Sequence, residues 1–353
     1  MEITILITFV LSFVCGLFLN NFFIKRPLKF LVKKANNSAI RFSTQTKPIF
    51  GGIGFYAIFL GLSIAAMFIF KNQIYQTGEY ISILIVVTLS FIMGLADDII
   101  NTPPSFKFIV QFLCAFIFIF SGIYIKISPY EWYNYAITVI WVVGIMNSIN
   151  MLDNMDAITS LTSFSIIGGA ALFSIMFDSQ ISIYTSLVFI STSAALLSFL
   201  IYNWHPAKMY MGDNGSQYLG AILALVGIVF YWNAVPVEAF EYGYNSKQVV
   251  IVACAFIVPL SDTTTVTINR LLRKQSPFVG GRDHTTHHLF YLGLSVKWVG
   301  VVLFLLNMIG VGIAMYLIHI KDNFNYNNLW YFAIYPVAVF LSLYINTKLT
   351  KQK

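Results

Sequence analysis

Eleven runs of roughly 20 mostly apolar residues divide this chain, at about 2–24, 51–70, 80–96, 106–125, 135–152, 158–177, 181–202, 217–235, 248–268, 296–318 and 329–347. A bilayer core is about 30 Å thick, and an α-helix crosses it in about 20 residues. Inside it every backbone N–H and C=O must bond within the chain, so runs of that length have to be helices. Of the 353 residues 58% are hydrophobic and only 10% charged, a composition that excludes a soluble globular domain. The expected fold is therefore an all-α polytopic membrane protein with about eleven transmembrane helices, a single integral-membrane domain over 1–353. The first run begins with Glu2 and is followed by Lys25 and Arg26, the wrong charge order for a cleavable signal. Cys15, Cys114 and Cys254 all lie within apolar runs without CxxC spacing, and read as small buried hydrophobes.

Alternating the loops places 17 of the 21 Lys and Arg on one side, which the positive-inside rule makes cytoplasmic. The N-terminus is then outside and the C-terminus in the cytoplasm. Seven of the 14 acids share the cytoplasmic side: Asp97, Asp98, Asp153, Asp156, Asp213, Asp262 and Asp283. None is Glu, and most stand at helix ends. Carboxylates at membrane-helix ends are costly and are usually kept for function. The basic face suits an anionic substrate or anionic lipid.

Five stretches on that face carry chemistry, within loops at roughly 25–50, 97–105, 150–157, 203–216 and 269–295. Lys47-Pro48 and Gly51-Gly52 open the second helix; the glycines allow close backbone approach, and Lys47, with Arg41 upstream, suits phosphate. Asp97-Asp98 end the third helix, where two adjacent carboxylates oppose the helix dipole and call for a compensating cation, a hard divalent ion being the natural one. Asn147, Asn150, Asp153 and Asp156 follow at three-residue spacing on one helix face. Interhelical hydrogen bonding would account for some of these groups, but four exceed what packing asks for. Asn203, Pro206, Tyr210 and Gly212-Asp213-Asn214-Gly215-Ser216 lead into the eighth helix, whose free N–H groups suit phosphate. Asp262-Thr263, Arg270, Arg282, Asp283, His284, His287 and His288 close the set. The histidines lack the HExxH pattern and any companion cysteine, which speaks against zinc.

Several Asp, a glycine-rich anion site, Arg and His on one membrane face describe metal-assisted phosphoryl transfer. An ion-coupled transporter also uses membrane Asp and Asn, but holds them near the midplane rather than at helix ends.

In order and type these residues resemble the polyprenyl-phosphate N-acetylhexosamine-1-phosphate transferases. Pro48 to Gly52 are similar to the family's Pro-x-x-Gly-Gly element, Asp97-Asp98 to its DD motif, and Asn150, Asp153 and Asp156 to its N-x-x-D-x-x-D motif. Asn203, Pro206 and Gly212 to Ser216 resemble its N-x-x-P and GD-x-GS elements; Asp262-Thr263 with Arg270, and His287-His288, place the chain nearer the WecA/TagO-like branch than the MraY-like one. Asn154 and Ala157 stand where the family usually has Gly, and His284 falls outside the histidine match.

The resemblance implies transfer of a HexNAc-1-phosphate, GlcNAc-1-phosphate by default, from a UDP-sugar to undecaprenyl or another polyprenyl phosphate, with release of UMP. This would be the first membrane step of an envelope polysaccharide such as O-antigen or teichoic acid; phospho-MurNAc-pentapeptide transfer is the alternative. It implies Mg²⁺, or Mn²⁺, held by Asp213 and Asp153. Asp97, Asp98, Asp153 and Asp156 are the implied catalytic acids. Lys47, Asn150, Asn203, Tyr210 and Gly212 are implied on the substrate, with Arg270, Arg282, His287 and His288 clamping the diphosphate. The implied setting is a bacterial inner membrane with the active site facing the cytoplasm, in contact with membrane lipid, compatible with a homodimer and with no nucleic-acid partner.

Overall fold

The computed structural model describes residues 2–26, 47–70, 78–177, 181–234, 246–277, 280–320 and 328–350. Arg41 lies outside them. Thirteen α-helices follow in order: α1 (Glu2–Lys25), α2 (Gly51–Ile69), α3 (Glu79–Ile100), α4 (Pro104–Phe120), α5 (Glu131–Leu152), α6 (Ile158–Met176), α7 (Ile183–Asn203), α8 (Gly212–Val226), α9 (Ser246–Ala255), α10 (Ile257–Leu272), α11 (Thr285–Tyr291), α12 (Val296–His319) and α13 (Leu329–Leu349). Among the described residues the only β pairing is an isolated parallel bridge between Ile49 and Tyr210.

Every one of the eleven apolar runs is helical, and the chain is a multi-pass membrane protein. Among the described residues nine helices are long and apolar enough to cross a bilayer. The fourth run forms a helix of only 17 residues, because the chain turns out of α4 at Ser121-Gly122, with Gly122 at φ +81°. The ninth run is not one straight helix: α9 and α10 meet at 87°. Broken backbone at membrane depth must find partners, and Asn307 of α12 supplies them. Its Oδ1 accepts from Val258 N at 3.4 Å, and its Nδ2 donates to Ala255 O at 3.2 Å.

α8 is the axis of the bundle. It is buried along almost all of its length, whereas α1 and α13 show most of their apolar surface to the outside. It continues through a π-turn (Gly227–Tyr231) and packs against α3, α5 and α2. The contacts at its N-terminal end are very close. A Cβ on Gly94 of α3 would lie 2.3 Å from Asp213 O, and one on Gly52 of α2 would lie 2.2 Å from Gly215 N. Both helices therefore lie with bare backbone on the first turn of α8. Gly94 in particular sets the end of α3, with its two aspartates, directly beside Asp213.

Candidate active site

α3 ends because Asn101 takes a left-handed conformation (φ 53°), which Asn tolerates better than most residues. The turn brings Thr102 back onto Asp97. Asp97 Oδ1 accepts from Thr102 N at 2.9 Å and Thr102 Oγ1 at 2.8 Å, and Oδ2 accepts from Lys107 Nζ in the first turn of α4. The compensating cation called for by Asp97-Asp98 is thus partly a side chain, Lys107. Nothing but its place in a basic loop marked Lys107 in the sequence.

Asp98 is buried and reaches the start of α8. Its Oδ2 accepts from Asn214 N at 2.9 Å and Asn214 Nδ2 at 2.6 Å. Gly212 has φ +77°, and a Cβ there would lie 2.7 Å from the same oxygen. The α8 N-terminus was expected to offer free N–H groups to a phosphate through Gly212. That reading is corrected: the Asp98 carboxylate caps this helix end, and α2 and α3 cover it.

Asp213 stands in the first turn of α8, half-buried. Asn150 Nδ2 donates to Asp213 Oδ1 at 2.9 Å and to Ser216 Oγ at 2.8 Å. The Asp97 and Asp213 carboxyls lie within hydrogen-bonding reach of one another, with Asp98 close behind. Four predicted residues from three helices thus meet. Lys47 and Tyr210 meet too, the Lys47 Nζ standing 5.2 Å from the Tyr210 ring centroid. The bridge that joins their segments places them together: Tyr210 N donates to Pro48 O at 3.0 Å, and Gly51 N donates to Tyr210 O at 3.2 Å.

Other predicted residues are engaged elsewhere. Asp156 Oδ2 is bonded to His205 Nδ1 at 2.7 Å and Ala207 N at 3.0 Å. Its carboxyl therefore pins the α7–α8 loop rather than joining the acid cluster. Asn203 is buried; its Oδ1 accepts from Ala157 N at 3.1 Å and Ser160 Oγ at 3.0 Å, while its Nδ2 donates to Met209 O at 3.0 Å. Both ends of the amide are satisfied by protein, which replaces its expected place on the nucleotide. Asp153 caps α5, half-buried, one turn beyond Asn150.

The expected diphosphate clamp is mostly an internal brace. Arg270 forks onto Asp283 with bonds of 3.0 and 2.7 Å and donates to Pro277 O at 2.8 Å. Arg273 adds a bond of 2.7 Å to Asp283. Burial alone would raise the Asp283 carboxyl, but Arg270 at hydrogen-bonding distance holds it below its ordinary value. Burial pushes His287 down to about 3 and also lowers His288, whose Nδ1 meets Thr350 Oγ1 at 2.5 Å. Of the four proposed clamp residues, Arg282 alone is exposed. His284, outside the histidine match, proves central: its Nδ1 pairs with buried Asp262 Oδ2 at 2.8 Å, and Asp262 Oδ1 accepts from Thr285 N and Oγ1. The end of α5 joins this loop to the acid cluster through Asn154 Oδ1, which accepts from Thr286 Oγ1 at 2.7 Å.

Among the described residues no three His, Cys, Asp or Glu side chains form a metal cage. Mg²⁺ seldom uses one; it is held by one or two carboxylates while substrate phosphates and water complete its shell. Two facing carboxyls at Asp97 and Asp213 fit that requirement.

The sequence model of glycosyl transferase family 4 matches residues 80–231, from α3 through the π-turn after α8, a span that contains Asp97, Asp98, Asn150 and Asp213. Over that span the chain is similar to glycosyl transferase family 4. Similar proteins align with it over most of their length. It is 27% identical to the probable undecaprenyl-phosphate N-acetylglucosaminyl 1-phosphate transferase of Bacillus subtilis, across 74% of this chain and 71% of the relative. It is 24% identical to the decaprenyl-phosphate N-acetylglucosaminephosphotransferase of Mycolicibacterium smegmatis, across 74% and 71%. It is 27% identical to the phospho-N-acetylmuramoyl-pentapeptide-transferase of Streptococcus agalactiae serotype Ia, across 71% and 76%.

Proposed function

We propose that this transferase moves GlcNAc-1-phosphate from UDP-GlcNAc to undecaprenyl phosphate at the cytoplasmic face of a bacterial inner membrane. A lipid phosphate oxygen attacks the sugar-bearing phosphorus of the UDP-sugar. The bond from that phosphorus to the bridging oxygen breaks, and UMP leaves with the electron pair. The products are polyprenyl-diphosphate-GlcNAc and UMP, so the charges balance without a strong base: a lipid phosphate is already largely ionised near neutral pH. The harder task is bringing two anions together, and fixed cations and a bound metal serve that need.

The juxtaposition that carries this reading is Asp213, held by Asn150 and facing Asp97. These two carboxyls would hold Mg²⁺ (or Mn²⁺), which when bound supplies positive charge to the diphosphate oxygens. Lys107 and Thr102 keep the Asp97 carboxyl turned toward Asp213. Asp98 fixes the first turn of α8, and so the height of Asp213. Lys47 and Tyr210, in contact with one another, would offer a charge for phosphate and a ring for the uracil. Asp153, one turn past Asn150, is the further carboxyl on offer to the metal, and Arg282 is an exposed cation of the α10–α11 loop.

The relatives named for N-acetylglucosaminyl transfer, and the spacing of Asp262-Thr263, Arg270 and His287-His288, favour GlcNAc over the pentapeptide-bearing sugar. The test is UMP release by the purified chain in detergent with undecaprenyl phosphate and Mg²⁺, across UDP-GlcNAc, other UDP-HexNAc and UDP-MurNAc-pentapeptide. UDP-GlcNAc should be turned over fastest. Turnover of the pentapeptide substrate alone would reassign the sugar, and no turnover of any would end the enzyme reading.

A further inference from the structure

The last turn of α13 bears on the histidine loop. Thr350, the residue that caps α13, donates its hydroxyl to Asn346 O at 2.8 Å. The same Oγ1 lies 2.5 Å from His288 Nδ1 of α11. Two further bonds anchor this helix end. Asn269 Nδ2 of α10 donates to Thr347 Oγ1 at 2.9 Å, and Lys348 Nζ donates to Asn269 Oδ1 at 2.6 Å.

A hydroxyl has one proton, and a backbone carbonyl has none to give. The proton between Thr350 and Asn346 therefore belongs to Thr350. Its Oγ1 then meets His288 with lone pairs only, and Nδ1 carries the proton of that bond. The opposite tautomer would turn the hydroxyl proton to Nδ1 and leave Oγ1 facing the Asn346 oxygen at 2.8 Å with no proton between them. The bond made by one ring nitrogen sets the state of the other. Burial favours the uncharged ring, and Arg273 adds to it against the opposing pull of Asp283. A neutral imidazole with its proton on Nδ1 has a bare lone pair on Nε2. Among the described residues Nε2 has no partner, and it is not sealed from solvent. It is an acceptor, and phosphate oxygens are acceptors too. What Nε2 can take is an O–H or an N–H. The loop stands near the acids: Thr286, two residues before His288, donates to Asn154, which follows Asp153 at the end of α5.

We propose that Thr350 is a positioning residue that holds His288 in its Nδ1–H tautomer, so that Nε2 accepts from a hydroxyl or amide N–H of the sugar nucleotide instead of clamping its diphosphate. As a statement about the substrate it rests on the proposed function; as a statement about the ring it does not.

Nitrogen-15 spectra of the full chain in detergent at pH 7.5, with labelled histidine, read the ring directly. The chain has five histidines, and His288→Gln assigns the signal by its loss. Wild-type His288 should show a protonated Nδ1 and a bare Nε2. Thr350→Val keeps the shape and removes the hydroxyl, and the ring should then populate the Nε2–H tautomer. Thr350→Ser should restore the wild-type pattern. UDP-GlcNAc should move the bare Nε2 signal of the wild type. The same move with UMP alone would assign the donor to the nucleoside, and a move that needs the sugar would assign it to GlcNAc. In UMP release, Thr350→Val should raise KM for UDP-GlcNAc about fivefold with kcat within about twofold, the scale of one lost hydrogen bond in ground-state binding. Thr350→Ser should stay within about twofold of wild type on both. A loosened helix end would instead lower kcat through loss of folded enzyme and leave KM alone. An Nε2–H or doubly protonated His288 in the wild type would overturn the proposal without any variant. So would an unchanged ring in Thr350→Val, or an Nε2 signal indifferent to UDP-GlcNAc. If the wild-type chain releases no UMP from any UDP-sugar, the proposed function fails, and the ligand-free spectra still judge the tautomer.

Discussion

Single residues show how closely this site is fitted. Ala157, where the family usually has Gly, sits at φ 66° at the start of α6. A left-handed backbone costs a residue with a Cβ about 1–2 kcal/mol, partly offset by the greater freedom glycine gives the unfolded chain. Ala157→Gly should therefore raise stability by up to about 1 kcal/mol, and Ala157→Val should lower it, as read by thermal unfolding in detergent. The conformation was not legible in the sequence, although the departure from the family pattern marked the position. Asp156, next door, read as catalytic because it shares a helix-face spacing with Asn150 and Asp153. The helix ends at Leu152, so that spacing no longer places it on the same face. Lys107 escaped notice for the opposite reason: it comes ten residues after Asp97 and only the turn at Asn101 brings it back.

At the scale of elements, the helices were legible because apolar length dictates them, and the break between α9 and α10 was not. It depends on Asn307, 49 residues beyond Val258 in sequence. Asn307→Leu would leave the Val258 N–H and Ala255 O without that partner, at a cost of about 1–3 kcal/mol for buried groups. The expected result is a lower unfolding temperature, with turnover reduced as α10 carries Asp262 and Arg270 out of register. The α10–α11 loop should also be acid-sensitive. His287 has its pKa pushed down to about 3 and Asp283 is held below its ordinary value, so the unfolded chain binds protons more readily than the folded one. Their contribution is complete above the ordinary histidine value of about 6.5 and falls progressively below it. The melting temperature should drop between pH 7.5 and pH 5.5, and His287→Asn should flatten that dependence. A pH-independent melting temperature in the wild type would contradict this electrostatic account.

At the scale of the whole molecule, the sequence pattern placed the acids on one membrane face, and packing around α8 decides which of them meet. Gly94 and Gly52 let α3 and α2 lie on the α8 backbone, so Asp97, Asp98, Asn150 and Asp213 converge from helices far apart in sequence. Gly94→Ala should separate α3 from α8 and lower both stability and turnover, since overpacking of a close contact typically costs about 1–3 kcal/mol. The membrane orientation rests on the charge asymmetry; a cysteine introduced at Arg282 should react with an impermeant thiol reagent only when the cytoplasmic face is opened. The central claim is that Asp213 is the metal-side acid of a sugar-phosphate transferase. The direct test is mass-spectrometric detection of the lipid product from undecaprenyl phosphate and UDP-GlcNAc, with and without Mg²⁺, in wild type and Asp213→Asn. The account predicts a polyprenyl-diphosphate-GlcNAc product in the wild type that vanishes without Mg²⁺ and falls at least about a hundredfold in Asp213→Asn, the scale of losing a main electrostatic stabiliser. Product formation within a few-fold of wild type in Asp213→Asn would contradict it.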